Sequence, residues 1–174
     1  MEILIIDGYN VLNAWPELLE LTSNLEMARE KLLDILLDYG AYKDLKIIVV
    51  FDAHLTKGQG EAYAPAKSFE VVYTRENQTA DSYIERVSYD LAKNKELVRV
   101  VTSDYAEQMN ILGSGAFRVS AREFLLDVAK TRKEIRQKIE DAAAKNKRRE
   151  VGGLIQGEVL GRLEALRRVL KDDN

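Results

Sequence analysis

The 174-residue chain contains no cysteine, one histidine, two prolines and one tryptophan, and its longest unbroken apolar run is the five residues Ile47–Phe51. Without cysteine there is no disulfide framework, no thiolate metal site and no thiol nucleophile. The single imidazole, His54, falls in a polar loop just after Asp52, where it reads as a surface or capping residue, so a Ser-His-Asp hydrolase is a poor fit. Five apolar residues are far short of the roughly 20 that cross a bilayer, and no basic-then-apolar leader pattern opens the sequence. A soluble, cytoplasmic protein with no membrane contact is expected. Two nucleotide signatures are also missing: neither G-x-x-x-x-G-K-[ST] nor a G-x-G-x-x-G following the first strand occurs.

What remains is an ordinary globular composition, 46% hydrophobic and 32% charged, long enough to bury a core without covalent staples. The runs 3–6 (ILII), 47–51 (IIVVF) and 98–101 (VRVV) are short and rich in β-branched residues, as expected of strands buried on both faces of a parallel sheet. Phe69 to Tyr73 and Ala116 to Val119 add two further strands. Helix starts are marked by Ser23 with Glu26, by Thr79, and by Ser120 with Glu123. The alternation predicts an α/β fold with a parallel sheet covered by helices on both faces. The loop from His54 to Ala66 is expected to be a flap or a surface excursion. After Ser120 a long helix is expected to end before Gly152 and Gly153, followed by an amphipathic segment from Leu154 to Leu170.

The formal net charge of −3 conceals an asymmetry. Residues 1–129 carry 13 basic and 21 acidic side chains, whereas residues 130–150 carry nine basic and four acidic ones. An acidic body of residues 1–129 with basic and amphipathic C-terminal helices over 130–174 is the expected organisation. Lys145, Lys147, Arg148 and Arg149 then form either a solvated helix surface or a contact for the phosphates of a polyanion.

The acidic residues are placed where such a fold binds ligands. The first strand runs into Asp7, the second into Asp52 and the one beginning at Val98 into Asp104, while Asp81 opens the helix after Phe69 to Tyr73. Ligands of open parallel sheets bind outside the carboxyl ends of the strands. Each aspartate alone can be a turn or cap residue, but four sent to one edge raise an electrostatic conflict. Two carboxylates about 4 Å apart repel by roughly 4 kcal/mol at an effective dielectric of 20. They must take up protons or hold a cation. Oxygen-only donors suit Mg²⁺ or Mn²⁺, and such ions serve phosphodiester hydrolysis.

The segments IIDGYNVLNAWPEL, VVFDAH, YTRENQTADSYIER and VVTSDYAEQ, in this order and spacing, resemble the YacP-type branch of the NYN domains, a group of PIN-like ribonucleases. The resemblance implies a three-layer Rossmann-like fold, metal-dependent endonucleolytic cleavage of RNA, mRNA in particular, and for this branch a connection with the ribosome. It assigns Asp7, Asp81 and Asp104 to the metal, with Asp52 as a further strand-end acid. Asn10 matches the polar position of D-G-Y-N and would orient a water on the ion or a phosphate. Glu76 competes with Asp81 for the acidic position near the helix, and Asp81 is favoured. Arg75, Asn77 and Ser103 are candidate substrate contacts, and Tyr9 and Tyr105 are rings on which a base could stack. Two other readings stay open: an RNA or ribosome adaptor with a vestigial acidic site, and a small-molecule phosphohydrolase.

Overall fold

A computed structural model describes residues 1–20, 24–52, 60–103 and 115–172, with side chains described up to 146 apart from residue 19, and beyond that at Val159. The chain divides into two compact units, Met1–Arg132 and Lys133–Asn174. The first holds a six-stranded sheet.

The elements are β1 (Ile3–Asp7), α1 (Gly8–Ala14), α2 (Pro16–Leu19), α3 (Leu25–Lys43), β2 (Lys46–Phe51), β3 (Ala62–Ala66), β4 (Phe69–Tyr73), α4 (Ala80–Lys93), β5 (Val98–Thr102), β6 (Phe117–Ser120) and α5 (Ala121–Asp172). The sheet order is β3-β4-β2-β1-β5-β6. All neighbours are parallel except β3 and β4, which are antiparallel. The expected α/β class and the strand positions therefore stand.

Alternation along the strands sorts the core into two layers. Leu4, Ile6, Ile47, Val49, Phe51, Phe69 and Val71 face α1, α2, α3 and the first turns of α5, where Val11, Leu12, Leu18, Leu32, Leu36, Phe124 and Val128 meet them. Ile3, Ile5, Ile48, Val50, Val72, Val98 and Val100 face α4 through Ala80 and Ile84. β1 is buried at every position, because it lies centrally with helices on both sides. Tyr39 donates a hydrogen bond to Asp127 at 2.7 Å and Lys43 pairs with the same carboxylate at 3.1 Å, joining α3 to the beginning of α5.

Local chemistry explains the boundaries. Trp15 is extended (φ −104°, ψ 104°) because Pro16 follows it, so α1 stops there and Pro16 starts α2. Thr79 caps α4 by accepting from the Ser82 N–H. Ser120 and Glu123 form the expected capping box, the Ser120 N–H and hydroxyl donating to Glu123 at 3.1 and 2.6 Å.

Three expectations need correction. The cap of α3 is Asn24, which accepts from the Met27 N–H; Ser23 lies outside the described residues. Within the segment expected to be a flap, residues 62–66 form the edge strand β3, while 53–59, with His54, lie outside the described residues. Its polar, Pro65-containing sequence hides the strand, since an edge strand pairs on one side only and tolerates proline. The pairing shifts between Tyr63 and Ala66, across Pro65, which has no N–H to donate. Finally, α5 continues through Gly152 and Gly153 rather than ending before them. A glycine within a helix costs only about 1 kcal/mol. Among the described residues no helix is long and apolar enough to cross a membrane.

Candidate active site

β1 lies between β2 and β5, and the chain leaves it in opposite directions: β2, β4 and β3 build out on one side, β5 and β6 on the other. That reversal opens a crevice at the carboxyl ends of β1 and β5. Asp7 is the last residue of β1. The pairing of Ile6 with Val101 brings Asp7 level with Thr102, the last residue of β5. By alternation both stand on the face that carries Ile3, Ile5, Val98 and Val100, the face covered by α4.

Asp7 is 5% exposed. It caps α1, accepting the Asn10 backbone N–H at 2.9 Å on Oδ1 and the Asn10 side-chain amide at 2.7 Å on Oδ2. The same amide makes a long contact of 3.5 Å with the hydroxyl of fully buried Thr102. Burial pushes the Asp7 carboxyl above its ordinary pKa; the two Asn10 hydrogen bonds oppose this, and the charge of Asp81 adds to it. The charge of Asp81 thus reaches Asp7.

Asp81 comes there in the first turn of α4. Asp52 leaves the end of β2, and its Oδ2 accepts the Ala80 N–H at 3.3 Å. That bond secures the N-terminus of α4 to the carboxyl edge of the sheet. A carboxylate at a helix N-terminus is also favoured by the helix dipole. Among the described residues no three acidic side chains form a ready-made chelating group. The sequence-expected fourth acid, Asp104, lies outside the described residues, as does Tyr105.

The donor set is nevertheless chemically suited to a small hard cation. Mg²⁺ is commonly held by one or two carboxylates and completes its shell with water and phosphate. Asp7 and Asp81 supply two carboxylates, the first of them buried against its own charge.

The other sequence-expected residues fall in both units. Arg75, Glu76 and Asn77 are exposed in the turn between β4 and α4, closed by the Gln78 N–H donating to the Arg75 carbonyl at 2.9 Å. Ser103 is exposed just beyond β5. Lys145 is exposed on α5 in the second unit; the side chains of Lys147, Arg148 and Arg149 lie outside the described set. Trp15, the tryptophan between α1 and α2, is buried in the core.

Two residues carried no obvious mark in the sequence. Thr102 rather than Ser103 meets Asn10, which the period of two along β5 could have revealed, because Thr102 shares a face with Val98 and Val100. Arg29 of α3 donates to the Tyr9 hydroxyl at 3.3 Å. It lies 20 residues from its partner and had no signal. Burial raises the pKa of the Tyr9 phenol, the hydrogen bond from Arg29 lowers it, and the charge of Asp52 raises it.

The glycine between Asp7 and Tyr9 is a packing requirement. A Cβ on Gly8 would stand 2.3 Å from Phe51, whose fully buried ring has Tyr9 edge-on at 5.2 Å and Tyr73 stacked at 5.5 Å. The D-G-Y-N turn thus reflects one compact arrangement: Asp7 caps, Gly8 admits Phe51, Tyr9 packs on it and Asn10 returns to Asp7.

Known proteins resemble this chain in sequence and fold. The chain is 43% identical over 140 residues to the uncharacterized protein YacP of Bacillus subtilis (strain 168), spanning 80% of this chain and 82% of that one. The crystal structure of Rae1 (YacP) from Bacillus subtilis matches with a TM-score of 0.75 and 39% identity over 97% of this chain and 95% of that one. The structure of a mutant of the same protein gives 0.71 over 83% and 85%. The YacP-like NYN domain matches residues 4–168, nearly the whole sequence, and this match places the chain in the YacP-like NYN family of PIN-like nuclease domains.

Proposed function

We propose that the chain is a divalent-metal-dependent endoribonuclease that hydrolyses phosphodiester bonds of RNA, with mRNA at the ribosome as its working substrate. The observation that carries this reading is Asp7: a buried carboxylate at the switch point of the sheet, opposed by Asp81 and held by Asn10. Buried carboxylates with raised pKa values gather at functional sites. Asp7 and Asp81 would hold Mg²⁺ or Mn²⁺ with Asp104, while Asp52 keeps α4 in place and so keeps Asp81 at the edge. Bound there, such an ion would lower the pKa of a water and offset charge developing on the phosphoryl group.

Asn10 fixes the rotamer of Asp7 through two hydrogen bonds and ties it to Thr102. The exposed Arg75, Asn77 and Ser103 stand at the same edge to meet the backbone of a strand. Lys145, Lys147, Arg148 and Arg149 add phosphate contacts of their own. The acidic first 129 residues repel free polyanions, which favours a partner such as the ribosome that presents the strand.

The test is an end-mapped RNA cleavage assay with Mg²⁺ or Mn²⁺, with and without ribosomes, comparing the parent chain with Asp81→Asn. Internal cuts that need the ion and vanish in the variant support the reading. Equal cutting by the variant, or none by either protein under both conditions, rejects it.

A further inference from the structure

The sheet edge that carries the acids also carries a row of aromatic rings on its α3 face. Tyr9 is edge-on to Phe51 at 5.2 Å, Phe51 stacks on Tyr73 at 5.5 Å (20°), and Tyr73 stacks on Tyr63 at 6.4 Å (19°). The row begins two residues after Asp7 and ends on the edge strand β3. Its inner members serve the core. Tyr63 does not: it is 47% exposed although one face of its ring lies over Tyr73.

Two neighbours give that exposed ring a direction. Arg29 is half-buried beside the Tyr9 hydroxyl, and among the described residues it makes no ion pair with a carboxylate. On the other side, Tyr63 borders a groove of about 330 Å³ with Pro65, Phe69, Leu33, Glu30 and Asp34. The groove has apolar walls and two carboxylates. It would repel a phosphate and admit a base.

Resting on the endoribonuclease reading, we infer that this face holds the strand beside the scissile bond: an unpaired RNA base stacks on Tyr63 over the groove, and Arg29 contacts the phosphate between that base and the crevice at Asp7. Stacking on aromatic rings is how proteins hold unpaired bases, and the Tyr63 ring is the one in the row that is largely exposed. A duplex could not place a base there without opening. The substrate class is therefore unpaired RNA.

Binding of a short, labelled, unpaired oligoribonucleotide is measured on an Asp81→Asn background, which stops cleavage. Tyr63→Leu should weaken binding by about 5- to 150-fold, the loss of one base–aromatic stack. Tyr63→Phe keeps the ring face and should stay within about twofold. An oligomer with one abasic nucleotide, scanned along the strand, should at one position weaken the background protein by the same factor and leave Tyr63→Leu no further loss. Arg29→Gln should lower the log-log salt slope by about 0.7, and Arg29→Lys should not.

Unchanged binding by Tyr63→Leu overturns the inference, as does a loss that persists against every abasic oligomer, or no binding by the background protein. Cleavage by the parent chain together with unchanged Tyr63→Leu binding removes the stacking site and leaves the nuclease reading intact. Tyr63-dependent binding without cleavage by the parent chain does the reverse.

Discussion

Asp7 has two duties that pull against each other, capping α1 as an acceptor and presenting a charge in a buried place. Its folded pKa is raised above that of the unfolded chain, so the folded state binds the proton more tightly. The stability this proton provides is present in acid and is lost as pH rises through the folded value. Without a divalent ion, Asp7→Asn should therefore be more stable than the parent chain at neutral pH, and the difference should close below the ordinary aspartate range. Urea denaturation at several pH values measures it, and a variant less stable at neutral pH would show that Asp7 is only a cap. Gly8→Ala tests the packing around the same turn. A methyl forced against the enclosed Phe51 ring should cost about 1–3 kcal/mol, seen as a lower midpoint in the same denaturation.

At the scale of elements, the start of α4 matters most, because it brings Asp81 to the crevice while its N-terminus is tied to Asp52. Thr79 supplies the side-chain cap. Thr79→Ala should cost about 0.5–2 kcal/mol, and fraying of the first turn should weaken Mn²⁺ binding in a titration without abolishing it. The basic run of α5 makes a separate prediction. Replacing Lys145, Lys147, Arg148 and Arg149 with glutamine should weaken RNA or ribosome binding and flatten its log-log salt dependence by roughly 0.7 to 0.9 for each phosphate no longer neutralised. Cleavage at saturating substrate should not change. An unaltered salt slope would assign the run to a solvated surface.

For the whole molecule, the fold and the ion are separable. The sheet has a well-packed layer of side chains on each face, and the acids stand at its edge rather than in either layer. Chelation of divalent ions should abolish cleavage while the far-ultraviolet circular dichroism stays as it was. Re-addition of Mn²⁺ should restore activity, and should raise the melting temperature of the parent chain but not of Asp7→Asn. Loss of helical signal on chelation would mean that the ion is structural.

The α/β class, the strands at Ile3, Ile47, Phe69 and Val98, and the sending of Asp7, Asp52 and Asp81 to one edge were determined by the sequence, because burial on both faces writes itself as unbroken β-branched runs and a strand end fixes where the next residue goes. The D-G-Y-N turn was legible for the same local reason. The antiparallel edge strand β3 was not, since a strand paired on one side needs neither alternation nor freedom from proline. The face of Thr102 follows from the period of two along β5, but its meeting with Asn10 needed the register between β1 and β5, and the approach of Arg29 to Tyr9 depends on how α3 packs across the sheet. Contacts between residues distant along the chain leave no local pattern. They exist only once hydrophobic burial has brought the layers together, and the aromatic row from Tyr9 to Tyr63, drawn from four separate segments, is of that kind.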